Sequence, residues 1–246
     1  MTPLEFTYSA YKHLIELLSS KGYVYTSYYD WPYYEKCVIM RHDIDNDIAK
    51  ALEFAKMEKE LGVKSTYFVL LTSDLYNPFS LYSSNMLKGI IDCGHEVGLH
   101  FDECRYANEE SSICERIVNE AKMLENIIER PVKTVSMHRP SKKTLENDLK
   151  IPGLINSYDQ VFFKEFKYLS DSRRRWREPV IDIVESEISN RLHILTHAFW
   201  YYHEEKPIKE TLLDFVNRAN GERYTTMKNN MTYFEDILSE GEVFHE

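Results

Sequence analysis

The sequence predicts an α/β fold built on a parallel sheet, and three observations predict it. Short apolar runs alternate with amphipathic segments of about a dozen residues, which requires parallel strands joined by right-handed crossovers. Polar residues suited to catalysis fall at the C-terminal ends of those runs, where folds of this class keep their chemistry. The length of 246 residues suits one sizeable core, and a single α/β barrel of this size is ordinary. With no internal repeat, low-complexity tract or linker, residues 1–246 read as one domain.

The elements follow in order. Thr2-Pro3-Leu4-Glu5 has the form of a capping box, and Tyr8, Tyr11, Ile15 and Leu18 then recur at helical spacing until Lys21-Gly22. Val38–Arg41 predicts a strand, followed by a helix with Ile48, Leu52 and Ala55 on one face and Gly62 as its stop. Residues 65–71 (STYFVLL) predict a second strand and residues 85–93 a helix ended by Gly94. Residues 96–100 form a third strand. Ser112-Ile113-Cys114-Glu115 opens a helix with Ile113, Ile117, Ala121, Leu124 and Ile128 inward, and residues 134–138 form a fourth strand. Between 150 and 190 the pattern is weaker, with short strand candidates at 167–169 and 180–184. Residues 192–196 are the last clear strand, and Ile208, Leu212 and Phe215 open a C-terminal helical region.

Composition narrows the function classes. A formal charge of −10, with 30 basic residues against 40 acidic ones, argues against nucleic acid as a partner. No apolar run is long enough to span a bilayer, and the first twenty residues lack the features of a signal peptide. Cys37, Cys93, Cys104 and Cys114 form no C-x-x-C pair and read as reduced thiols in a cytoplasmic protein. Aromatic side chains crowd residues 23–34, either as core packing or as a wall on which a sugar stacks.

The strand ends carry the chemistry. Arg41-His42-Asp43-Ile44-Asp45, His100, His138-Arg139 and His197 lie far apart in sequence, yet each sits at the end of a predicted strand. Singly, Asp45 reads as a helix cap and each histidine as a half-buried core residue. Their shared position at one end of the sheet argues for a site, and carboxylate with imidazole suits a borderline divalent metal such as zinc. His95 is excluded: in a strand it lies about 16 Å from His100 and faces the other way.

MRHDID, GHEVGLH, HRP and LTHAFW, in this order, resemble the motifs of the NodB-type polysaccharide deacetylases over roughly residues 36–200. The resemblance implies a deformed (β/α)7 barrel, a divalent metal that is usually zinc, and hydrolysis of an N-acyl group on a sugar. It makes Asp43 the general base, Asp45 a metal ligand and His100 the first metal histidine. It makes Arg139 the arginine that orients the base and His197 the acid that protonates the leaving amine. Asp171 and Trp176 match a substrate-binding Asp/Trp motif with altered spacing, and Trp200 is placed to wall the acyl pocket. The second metal histidine of the family falls at Cys104, and its Ser/Thr at Phe101. We expect His138 to complete the site instead, because a catalytic zinc uses three protein ligands and His138 ends a strand at the same mouth. The expected substrate is an amino sugar linked to a nucleotide or lipid, a precursor of a surface polysaccharide. The alternative is a non-catalytic relative that binds such a sugar.

Overall fold

The computed structural model describes residues 4–106, 112–146 and 148–243, without the side chain of Lys143. The chain divides into two compact units, residues 1–203 and 204–246. The first unit runs α1 (Tyr8–Ser20), β1 (Val24–Tyr25), β2 (Cys37–Ile44), α2 (Ile48–Glu60), β3 (Ser65–Leu70), α3 (Leu81–Asp92), β4 (Glu96–Asp102) and α4 (Ile113–Ile128). It continues with β5 (Thr134–His138), α5 (Lys142–Glu146), β6 (Ile155–Asn156), α6 (Val161–Lys164), β7 (Lys167–Ser170), α7 (Val180–Glu185) and β8 (Arg191–Thr196). Every strand pair is parallel, in the order β6-β5-β4-β3-β2-β8-β7, with β1 appended to β2.

The seven strands of this path, with β1 an eighth beside β2, curl into a deformed barrel that does not close. Arg41 on β2 hydrogen-bonds to Ser136 on β5 and to Ser157 just beyond β6, the latter at 3.3 Å. In a flat sheet these strands would lie roughly 14 and 19 Å from β2, beyond the reach of one side chain. The unpaired edges of β6 and β7 are bridged by the rings of Tyr158, Phe163 and Tyr168.

Period-two alternation divides each strand between bore and exterior. Cys37, Ile39, Arg41 and Asp43 of β2 face the bore, where Tyr28, Phe68, Phe162 and Phe166 fill its floor. Met40 and Ile44 face outward, as do Val97, Leu99 and Phe101 of β4, against the surrounding helices. His42 also faces outward, into a buried polar cluster behind the sheet. The Glu58 carboxylate on α2 lies 3.0 Å from His42 Nε2 and accepts from Tyr11, Ser65 and Tyr67 at 2.5, 2.7 and 2.8 Å. His95 closes this cluster at the N-terminal end of β4, through Ser65 Oγ and the carbonyl of Ala55. Its role is structural, as its position in the strand predicts.

Several boundaries differ from the sequence reading. Helix α1 starts at Tyr8, capped by Thr7, so Leu4 and Glu5 precede it; Thr2 and Pro3 of the expected capping box lie outside the described residues. Strand β2 runs three residues past Arg41, and α3 begins at Leu81. Ser112 caps α4 by position, without a side-chain hydrogen bond. Residues 180–184 are helical: Val180 and Val184 are buried four residues apart behind Pro179, a helical spacing concealed by the run of β-branched residues. The aromatic segment before β2 supplies the floor through Tyr28, whose hydroxyl meets His193 Nε2 at 2.7 Å. Because β1 pairs with the start of β2, that segment lies at the end of the barrel opposite Asp43.

The second unit comprises α8 (Ile208–Asn230), α9 (Phe234–Ile237) and α10 (Glu240–Val243). Tyr224 packs edge-on against Phe234, and its hydroxyl donates to the Leu238 carbonyl.

Candidate active site

The C-terminal ends of β2, β4, β5 and β8 bring Asp43, Asp45, His100, His138 and His197 to one mouth. Asp43 is the last bore-facing residue of β2, and Asp45 follows where the strand ends. Asp47, not Asp45, caps α2, accepting from the backbone N–H of Ala49 and Lys50. Asp45 is thereby left to the site. Tyr76 fixes the surrounding backbone: its hydroxyl donates to the Ile44 carbonyl at 2.6 Å and accepts from the Leu70 N–H.

Asp45, His100 and His138 converge. Asp45 Oδ1 lies 3.2 Å from His100 Nε2 and 3.5 Å from His138 Nδ1, and the two ring nitrogens are 3.2 Å apart. Ligands of a tetrahedral zinc at 2.0–2.2 Å stand roughly 3.3–3.5 Å from one another. The spacing fits, and so does the chemistry: Asp45 Oδ1 is buried and makes no well-aligned hydrogen bond. Burial would raise the Asp45 carboxyl, but His100, His138 and His197 hold it well below the usual carboxylate range. Among the described residues these three are the group of His, Cys, Asp and Glu side chains able to share an ion. Cys104 is exposed on the 3-10 turn after β4 and outside the group.

Asp43 stands beside the three, its Oδ2 3.5 Å from His100 Nε2. Arg41 holds it in a fork, Nε to Oδ1 and a terminal nitrogen to Oδ2, both at 2.8 Å. Burial would raise this carboxyl too, but Arg41, His100 and His197 keep it below its ordinary value. The Arg41 guanidinium lies between the rings of Phe68 and Tyr158. Arg139 is elsewhere: its side chain is 66 % exposed and paired with Asp102, so the guanidinium on Asp43 is Arg41's. Alternation puts residues 41 and 43 on one face only where the strand runs on past Arg41, as β2 does.

His197 Nε2 lies 3.7 Å from Asp45 Oδ2. Its Nδ1 meets Asp171 Oδ1 at 2.6 Å, and its backbone N–H donates to Asp171 Oδ2. Burial would lower the imidazole, but Asp171 overcomes it and, with Asp45 and Asp43, raises His197 to about 9. Asp171 is fully buried, and its carboxylate is engaged by His197 and by the Tyr201 hydroxyl. Trp176 is also buried, within the apolar cluster of Leu169, Val180 and Leu192, and presents no open face to a substrate. Trp200 is half-buried on the 3-10 turn that follows His197, near the mouth.

No protein-family model matches the chain, and no curated protein matches it. The chain is similar in structure to carbohydrate esterase family 4 proteins. BA3943, a CE4 family pseudoenzyme from Bacillus anthracis, shares 14 % identity at a TM-score of 0.44, covering 76 % of this chain and 62 % of its own. The chain thus matches less than two thirds of that protein's length. The polysaccharide deacetylase Bc1974 from Bacillus cereus shares 17 % identity at a TM-score of 0.42, over 66 % of this chain and 79 % of its own. A family 4 acetyl xylan esterase from Clostridium thermocellum, solved with a cobalt ion, shares 14 % at 0.41, over 75 % and 84 %. Among the described residues, no helix is long and apolar enough to cross a membrane.

Proposed function

We propose that the chain is a metal-dependent hydrolase that removes an N-acyl group, N-acetyl in the simplest case, from an amino sugar. The observation that carries this reading is the convergence of Asp45, His100 and His138, with the Asp43 carboxylate 3.5 Å from His100 and the His197 imidazole 3.7 Å from Asp45. A divalent ion held by those three, zinc by its donor set, supplies Lewis acidity to the attacking water and the amide carbonyl. Asp43, ionised and fixed by Arg41, accepts the proton of that water. His197, kept protonated by Asp171, gives its Nε2 proton to the leaving nitrogen as the C–N bond breaks. Trp200, half-buried on the turn after His197, would wall the acyl group in this reading. In this reading the substrate is a nucleotide- or lipid-linked precursor handled in the cytoplasm.

A second reading, a sugar-binding relative without turnover, draws support from Asp43. Both of its oxygens are engaged by Arg41, which makes it a weaker base. Metal content measured together with amine release from N-acetyl and N-formyl sugars separates the two. Hydrolysis requires stoichiometric metal and release of amine; bound sugar without amine establishes the second. His138→Ala should lose metal, and Cys104→Ser should keep it. The reverse result overturns the ligand set.

A further inference from the structure

The loop after β7 carries Arg173, Arg174, Arg175 and Arg177, the densest positive charge in a chain of net charge −10. It begins at Asp171, whose side chain holds His197 and whose carbonyl accepts the Arg175 N–H at 3.1 Å. The arginines therefore ride on a single turn anchored to the proposed general acid, at the mouth of the barrel. Arg173, Arg175 and Arg177 are exposed. Among the described residues they form no ion pair, although the chain has 40 acidic side chains, and the adjacent Glu178 is taken by Lys167 at 2.5 Å.

The backbone adds an independent observation. Arg173 and Arg174 have φ of +63° and +54°, a left-handed conformation that glycine adopts without strain and arginine does not. Among the described residues these are the one consecutive pair of non-glycine residues with positive φ, and backbone strain of this kind is often kept at ligand sites. The Arg174 guanidinium also lies over the Phe6 ring, 5.4 Å from its centroid, which directs it rather than leaving it to sample solvent.

We propose that this arginine turn is a phosphate subsite, binding a phosphate ester carried by the substrate while its amide lies between Asp43 and His197. Guanidinium groups match phosphate oxygens in paired hydrogen bonds, and several on one short loop suit a diphosphate better than a neutral sugar. The substrate class is then a sugar joined to a nucleoside diphosphate or to a lipid diphosphate. The place of the subsite rests on the amide-hydrolase reading, but its test needs no turnover.

Inorganic pyrophosphate, titrated calorimetrically into the full-length protein, is the probe. Wild type should bind it with an affinity that falls as salt rises. Arg175→Gln/Arg177→Gln should weaken binding at least tenfold. Arg173→Gly should weaken it severalfold while the melting temperature holds or rises, because glycine relieves the left-handed strain. That divergence separates lost recognition from lost folding. The proposal fails if wild type does not bind, if the arginine variants bind as wild type does, or if only His138→Ala abolishes binding, which would assign the anion to the metal centre. UDP binding at least tenfold tighter than pyrophosphate assigns a nucleotide carrier, and the same gain for farnesyl diphosphate assigns a lipid. Equal affinities support the phosphate subsite with the carrier outside it.

Discussion

In the proposed hydrolysis Asp43 accepts a proton although Arg41 already engages both of its oxygens. The pairing keeps a fully buried carboxylate ionised and aimed, at the cost of basicity. Asp43→Asn should therefore lose nearly all turnover while metal stoichiometry is unchanged. It should also lower stability, on the order of 3–5 kcal/mol, because Arg41 is left buried without its anion. Turnover at the wild-type rate would show that another group takes the proton. At His197 the balance runs the other way, with Asp171 raising the imidazole to about 9. A raised value keeps the acid form through neutral pH and loses it as pH climbs through about 9. Rates for amides should fall on that alkaline limb. His197→Ala should slow amide hydrolysis by roughly two to four decades. Activated esters, whose leaving groups need no proton, should lose less, and equal losses would remove His197 from the leaving-group step.

Strand β4 shows how one element serves two faces. Its outward residues Val97, Leu99 and Phe101 pack on helices, and His100 turns inward to the site. Between the floor and the site lies Gly98, where a Cβ would stand 2.6 Å from both the Phe68 ring and Thr134 Oγ1. The curl of the sheet leaves no room there. Gly98→Ala should cost about 1–3 kcal/mol, read as a lowered melting temperature, because Phe68 belongs to the packed floor and has little space to move. An unchanged melting temperature would mean that the bore is looser than its packing implies.

At the scale of the molecule, stability and site share a sheet but not a face. The Glu58 cluster lies behind β2 and β3, and the candidate site residues lie in front. Burial would raise Glu58, but His42, His95 and the Tyr11 hydroxyl bring it down to about 2. A depressed carboxylate stabilises the fold above its unfolded value of about 4.3, and that contribution is lost as pH falls through about 2. Acid titration of unfolding should show wild type losing stability over this window. Glu58→Gln should start lower at neutral pH and change less. Parallel curves for the two proteins would exclude Glu58 from the acid response.

The sequence by itself determined the parallel α/β class and most of the strand positions. It also determined that Asp45, His100, His138 and His197 end strands, because apolar periodicity and polar punctuation are local. The same alternation placed His95 at the far end of its strand. The tertiary structure alone decided the rest. Arg41 became the partner of Asp43 in place of Arg139, since β2 runs on through both residues and keeps them on one face. Asp171 became the support of His197 because β7 lies beside β8, a pairing that no local pattern encodes. Trp176 went into the core, and residues 180–184 became helix, where a single buried face outweighed β-branched propensity. Local sequence sets where each strand starts and stops. Which side chains meet across the mouth depends on strand order and curl, and those are properties of the whole sheet.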